Sequence, residues 1–200
     1  MLAEIVEGRS VAAFFNMAAP AWDEGRRADD RKIEAILDLA DVREGHRVLD
    51  VACGTGFLFP YYLARSVGRV TGVDISAGML AVARAKHRDE RIELVEGDVM
   101  EARLGGPYDR LVVFNALPHF PCPRRLAERL ASLSGPDSRL TFAHDMGRSR
   151  LNAHHGRRAP GVSRELLCER ELAAILTPFY DVDVLRGEDD LYLVSGTRRL

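Results

Sequence analysis

Apolar residues in this chain come in short β-branched runs that stop at an acidic or turn-forming residue, and between the runs they recur at helical spacing. The first run, Val48-Leu49-Asp50-Val51, leads into Ala52-Cys53-Gly54-Thr55-Gly56 and then a helix pattern from Phe57 to Arg65. Further runs are Val70-Thr71-Gly72-Val73-Asp74, Ile92-Glu93-Leu94-Val95, Tyr108-Asp109-Arg110-Leu111-Val112-Val113 and Arg139-Leu140-Thr141-Phe142-Ala143. Each is as long as a strand and apolar enough to be buried on both faces, as parallel strands under helices are. Helical spacing places Ile33, Ile36, Leu37 and Ala40 on one face over 30–40, and Leu126, Leu130 and Leu133 on one face over 124–134. A helix over 169–177 presents Leu172, Ile175 and Leu176. Tyr180 to Leu185 and Leu191 to Thr197 read as two last strands, joined closely enough for a hairpin. Strand and helix alternate throughout, which predicts an α/β fold.

Two strand ends carry chemistry. Gly54 and Gly56 permit positive φ and let a ligand lie against the backbone, and a strand, glycine turn and helix in that order build a nucleotide site. A dinucleotide fingerprint wants a third glycine where this chain has Phe59, so NAD fits poorly. Asp74, 24 residues after Asp50, sits at the second strand tip, where a carboxylate accepts from both hydroxyls of a ribose. Ser76 is placed to cap the next helix, which carries Met79, Leu80 and Ala83.

The glycine segment resembles motif I of the class I S-adenosylmethionine (SAM) methyltransferases, with Ala52 where glycine is frequent. Asp74-Ile75-Ser76 followed by Met79-Leu80 is similar to the phrase that follows in that family. Phe14-Phe15-Asn16-Met17-Ala18-Ala19-Pro20-Ala21-Trp22-Asp23 resembles the N-terminal phrase of its ubiquinone/menaquinone-type group (methyltransferase type 11), with Trp22 in place of Tyr. The resemblance covers about residues 10 to 147, and the last quarter in outline. It implies a Rossmann-like sheet of seven strands in the order 3-2-1-4-5-7-6, strand 7 antiparallel, with helices on both faces. It implies one domain over 1–200, whose residues 1–40 form a helical lid. The implied cofactor is SAM, with S-adenosylhomocysteine as its product. The implied site is Trp22, Asp50, Ala52, Gly54, Gly56, Asp74, Ile75, Met79, Asp98, Val99 and Asn115. Asp98 would face the adenine amino group and Val99 would pack on the ring, while Asp50 is expected to tie loop amides as well as orient the ligand.

The methyl acceptor is less legible. His119, His144 and Asp145 follow strands 4 and 5, whose loops should meet at the methyl end of the cofactor, and a histidine suits a base there. His144 to Arg158 holds three of the six histidines and four arginines. Read as chemistry, His119, His144 and His154 or His155, with Cys122 or Asp145 nearby, converge on a divalent metal such as zinc, His119, His144 and His155 being the expected set. Read plainly, the segment is a solvated basic loop, or Arg148 and Arg150 gripping an anion. An Asp/Asn-Pro-Pro-Tyr sequence is missing after strand 4, where Asn115-Ala116-Leu117-Pro118 stands, so the expected acceptor is a small molecule. Two other readings stay open: a SAM-binding protein without turnover, and a metal-handling protein on the same fold.

Composition narrows the setting. Two hundred residues, 46% of them hydrophobic, can bury one full three-layer core. A net charge of −2 recommends no nucleic-acid partner. Three cysteines without paired spacing point to a reducing compartment, and Cys53 is expected to pack rather than react. No apolar run approaches membrane-spanning length, and Glu4 and Glu7 stand where a secretion signal needs basic residues. A cytoplasmic protein is expected, of unstated oligomeric state.

Overall fold

A computed structural model describes residues 11–25, 27–158 and 163–199. The buried runs form β1 (Arg47–Val51), β2 (Arg69–Asp74), β3 (Ile92–Glu96), β4 (Tyr108–Phe114) and β5 (Ser134–His144), with β6 (Tyr180–Gly187) and β7 (Tyr192–Arg198) behind them. They make one sheet in the order β3-β2-β1-β4-β5-β7-β6. The first five strands run parallel, and β7 lies antiparallel between β5 and β6. The expected topology is therefore present. From β1 the chain winds outward to β2 and β3, then crosses back to β4 on the other side. Loops after β1 and β4 diverge at that reversal, which opens a crevice at the carboxyl edge of the sheet.

Both faces are covered, which is why the central strands lack alternation. Leu49, Val51, Leu111, Val113, Leu140 and Phe142 pack under α5 (Pro123–Leu133) and α7 (Glu169–Leu176) through Leu126, Leu130, Leu172 and Leu176. On the opposite face Val48, Val70, Val112 and Ala143 meet α2 (Asp30–Leu39), α3 (Phe59–Ala64) and α4 (Ala77–Lys86) through Ile33, Ile36, Phe59, Tyr62 and Leu80. Ser76 caps α4 as expected, its Oγ accepting from the Met79 amide at 3.1 Å. The helix at 11–18, α1, precedes a short 3-10 turn, Ala19–Ala21, that rests on α4. No helix among the described residues is long and apolar enough to cross a membrane.

Two local expectations need correction. The basic stretch after β5 is a helix, α6 (Arg148–Arg158), whereas the sequence reads as a solvated loop. Leu151 alone is buried along its described part, and one anchor gives no periodicity to detect. Strand β5 also begins five residues earlier than its apolar run. Tyr108 pairs with Ser134 and Arg110 with Arg139, so Gly135-Pro136-Asp137 bulges out of the ladder instead of turning the chain.

Gly147 seats α6. Its carbonyl accepts from the Leu151 amide at 3.0 Å, and a Cβ there would lie 2.2 Å from the Glu188 carbonyl oxygen and 2.5 Å from that of Asp189. Both obstacles are backbone of the β6–β7 turn and cannot swing aside. Gly147→Ala is expected to cost about 1–3 kcal/mol, read as a lower urea midpoint with an unchanged slope. An unchanged midpoint would mean that the hairpin turn yields.

Candidate active site at the carboxyl edge of the sheet

The glycine turn is built around left-handed backbone. Ala52 (φ 54°), Gly54 (φ 57°) and Gly56 (φ 75°) all have positive φ, and Ala52 accepts a conformation that costs an alanine roughly 1–2 kcal/mol. A Cβ at Gly54 would meet nothing within 4 Å, so this turn faces open space. A Cβ at Gly56 would lie 2.6 Å from the Phe59 ring, so that glycine serves packing beneath the turn. Cys53 is buried, as expected, and burial pushes its thiol well up. Asn115, at the tip of β4, is also left-handed (φ 54°). The two strands flanking the crevice thus end in the same strained bend.

Asp74 holds the turn to the next strand. It is 8% exposed, and its carboxylate accepts from the Gly54 amide at 2.7 Å and the Ser76 amide at 2.8 Å. Burial raises its pKa and these two bonds oppose the rise. Asp50 is 2% exposed, and its pKa is pushed well up, first by burial and then by the charge of Asp74. The expectation that Asp50 ties the loop amides is not met: no hydrogen bond to its carboxylate is found among the described residues. The loop amide that seeks a carboxylate goes to Asp74 instead. Two acids therefore stand close together, largely removed from water, at the open side of a glycine turn.

The other expected residues spread along the same edge. Met79 and Val99 are buried and Ile75 is half-buried. Asp98 is exposed, and its side chain accepts from the Met100 amide at 2.9 Å, a local turn bond. Asn115 donates to Asp145 Oδ1 at 3.0 Å and accepts from the Asp145 amide at 3.2 Å, which joins the tips of β4 and β5. Trp22 is 38% exposed and packs edge-on against Phe15, ring centroids 5.4 Å apart.

Residues 11–25 span this edge. Asn16 Oδ1 accepts from Ser76 Oγ and from the Gly78 amide, each at 2.8 Å, so Asn16 docks on the start of α4. Asp23 accepts from Thr55 Oγ1 at 2.9 Å and from Lys86 Nζ at 2.7 Å, fastening the segment to the glycine turn. Phe15 then reaches across to His119, centroids 5.0 Å apart and rings near perpendicular. Sequence reading missed Asn16, because an asparagine inside a helical phrase carries no sign that it pairs some 60 residues downstream.

The histidines part ways. His119 ends the 3-10 turn Leu117–His119, is half-buried, and has Ser163 Oγ 3.2 Å from its Nδ1. His144 is not in the loop after β5 but is its last residue, fully buried, with its ring edge-on to Tyr192 at 5.7 Å. Its register opposite Tyr192 turns the side chain to the face of Leu140 and Phe142, into the core. The side chains of His154 and His155 lie outside the described residues. Among the described residues no three His, Cys, Asp or Glu side chains gather where they could hold a metal ion, so the zinc reading is not carried further.

Residues 48–137 match the family model of a methyltransferase domain. A ubiquinone biosynthesis O-methyltransferase of Cronobacter sakazakii is 34% identical over 152 residues, 71% of this chain and 62% of that protein. A malonyl-(acyl-carrier protein) O-methyltransferase of Acetivibrio thermocellus is 31% identical over 115 residues, 56% of this chain and 40% of that protein. The chain thus spans less than two thirds of these curated relatives. In fold it is similar to the N-methyltransferase NodS of Bradyrhizobium japonicum in complex with S-adenosylhomocysteine, with a TM-score of 0.73 at 14% identity, covering 96% of this chain and 100% of that one. Acid-tipped first and second strands, a left-handed glycine turn between them, this strand order and these likenesses together give the chain a methyltransferase domain over residues 48–137 on the class I S-adenosylmethionine-dependent methyltransferase fold.

Proposed function

We propose that the protein transfers a methyl group from SAM to a small-molecule acceptor, and that the crevice over β1 and β4 binds both. The observation that carries this reading is the pair Asp50 and Asp74 beside the open face of Gly54. The Asp74 carboxylate spends one acceptor site on Gly54 and one on Ser76, and its remaining lone pairs suit the two ribose hydroxyls. Asp50, buried without a donor among the described residues, suits the positive end of an amino-acid tail. The pair fits a ligand that is a nucleoside at one end and a cation at the other. Gly54 admits it against the backbone, Ala52 and Gly56 shape the turn around it, Ile75, Met79 and Val99 give apolar contact, and Asp98 accepts from the adenine amino group. Asn115 belongs at the methyl end, where its bonds to Asp145 fix the floor.

When bound, SAM supplies a methyl carbon already activated by its sulfonium, which leaves the protein to align and to exclude water. Phe15 and Trp22 cover the crevice and keep water from it. His119 takes the acceptor proton; His144, sealed in the core, orders the end of β5. The relatives named as O-methyltransferases favour an oxygen atom as the acceptor.

Calorimetry with SAM and with S-adenosylhomocysteine tests the binding half, and release of S-adenosylhomocysteine in the presence of phenolic acceptors tests turnover. Absence of binding to either nucleoside overturns the reading; binding without turnover reduces it to a SAM-binding protein. Asp74→Asn keeps one backbone bond but removes the charge that strengthens bonds to the ribose. Losing about 1.5–3 kcal/mol for one such bond predicts at least tenfold weaker binding of both ligands.

A second prediction separates the two acids by pH. Burial, and then the charge of Asp74, raise the pKa of Asp50 in the folded protein above its unfolded value. Stability is then fully present below the unfolded carboxylate value near ~4 and falls as pH rises toward the folded value. Asp50→Asn removes this penalty. The ligand-free variant should melt about 2–4 °C higher at neutral pH, the gain should vanish below about pH 4, and SAM should bind more weakly. A variant less stable at neutral pH with unchanged SAM affinity would show that Asp50 is structural.

A further inference from the structure

The N-terminal segment is fastened to the rest of the molecule at two points, and their chemistry differs. Asp23, near its end, accepts from Thr55 Oγ1 at 2.9 Å and pairs with Lys86 Nζ at 2.7 Å, where both charged side chains are more than one third exposed. An ion pair so open to water is weak. Asn16, in α1, makes neutral bonds in a tighter place. Its Oδ1 accepts from Ser76 Oγ and from the Gly78 amide, each at 2.8 Å. Ser76 is fully buried. A Cβ at Gly78 would stand 3.1 Å from Asn16 Oδ1 and 3.2 Å from both its Cα and its carbonyl oxygen, so α1 comes as near to the start of α4 as a residue without a side chain allows. Ala19, three residues on, is buried in the turn that rests on the same helix.

Ser76 stands two residues beyond Asp74 and gives its amide to that carboxylate at 2.8 Å. Its hydroxyl has one hydrogen and two lone pairs. A lone pair receives the Met79 amide at 3.1 Å, and the hydrogen goes to Asn16. When Asn16 leaves, two donors lose their acceptor at once. One is the buried Ser76 hydroxyl; the other is the Gly78 amide, in the first turn of α4, where no carbonyl of the helix can replace it. Resting on the SAM reading above, we infer that Asn16 is the latch of the nucleoside site. It is a positioning residue that acts through Ser76: it holds the N-terminal segment against the strand end that carries Asp74, and so sets the rate at which S-adenosylhomocysteine leaves. A nucleoside with its ribose on Asp74 and its tail by Asp50 lies beneath a bridge fixed at α4 by Asn16 and at the glycine turn by Asp23. Of the two fastenings the ionic one is open to water and yields first, and the neutral one limits the opening.

Displacement of radiolabelled S-adenosylhomocysteine by an excess of the unlabelled nucleoside measures its release from the full chain. Asn16→Ala removes both bonds and should speed release by about tenfold, while association does not slow. Asn16→Asp keeps an acceptor oxygen towards both donors and puts negative charge at a helix start, where it is favoured, so it should restore slow release. Amide hydrogen exchange in the same proteins locates the effect. In the alanine variant the Gly78 amide should lose protection while the Met79 amide, bonded to Ser76, keeps it. Release from Asn16→Ala at the wild-type rate, or no rescue by aspartate, would overturn the inference. So would loss of Met79 protection in the alanine variant, since Asn16 would then hold α4 itself and not the segment. Wild-type protein that binds no S-adenosylhomocysteine would instead remove the SAM reading on which the latch rests.

Discussion

Everything at the carboxyl edge hangs on where the Asp74 carboxylate spends its hydrogen bonds. One bond goes sideways to the Gly54 amide and sets the glycine turn after β1; the other goes forward to the Ser76 amide and sets the start of α4. Ser76, so placed, caps its own helix at Met79 and donates to Asn16, which brings the N-terminal segment across the crevice. Phe15 is the next residue along, and it meets His119. A single buried carboxylate therefore orders the turn, a helix start and the covering segment, and through these the ring proposed as the base. The arrangement has a cost in the folded chain, since burial disfavours negative charge on Asp74, and that charge adds to the burial that raises Asp50. Such a cost persists where function needs the groups more than stability does.

Most of the fold was legible because its signals are local. A β-branched run ending in an acid, a glycine pair and a capped helix each announce themselves within about ten residues, and their succession implies a parallel sheet. Sheet order, the Ser76 cap and the burial of Cys53 followed. What escaped depends on partners distant in sequence. Ser134 joins β5 only because Tyr108 pairs with it, although Gly135-Pro136-Asp137 looks like a turn. His144 looked like a loop residue because the apolar run ends at Ala143, yet pairing with Tyr192 carries the strand one residue further and turns the ring inward. One step of register moves a side chain from crevice to core. Asn16 and Ser163 were invisible for the same reason: nothing near them in sequence names Ser76 or His119.

The crevice also divides by sequence range. Asp50, Gly54, Asp74, Asp98 and Asn115 all lie within residues 48–137, the stretch shared with the methyltransferase domain family. Of the groups that reach His119, Phe15 and Ser163 lie outside it. A scaffold shared across many acceptors must hold the common ligand with residues inside the shared stretch, and it can change acceptors by changing what is attached before and after. The proposed division of labour follows that line: nucleoside recognition in the strand ends, acceptor chemistry around His119, where groups from outside the shared stretch meet one from inside it.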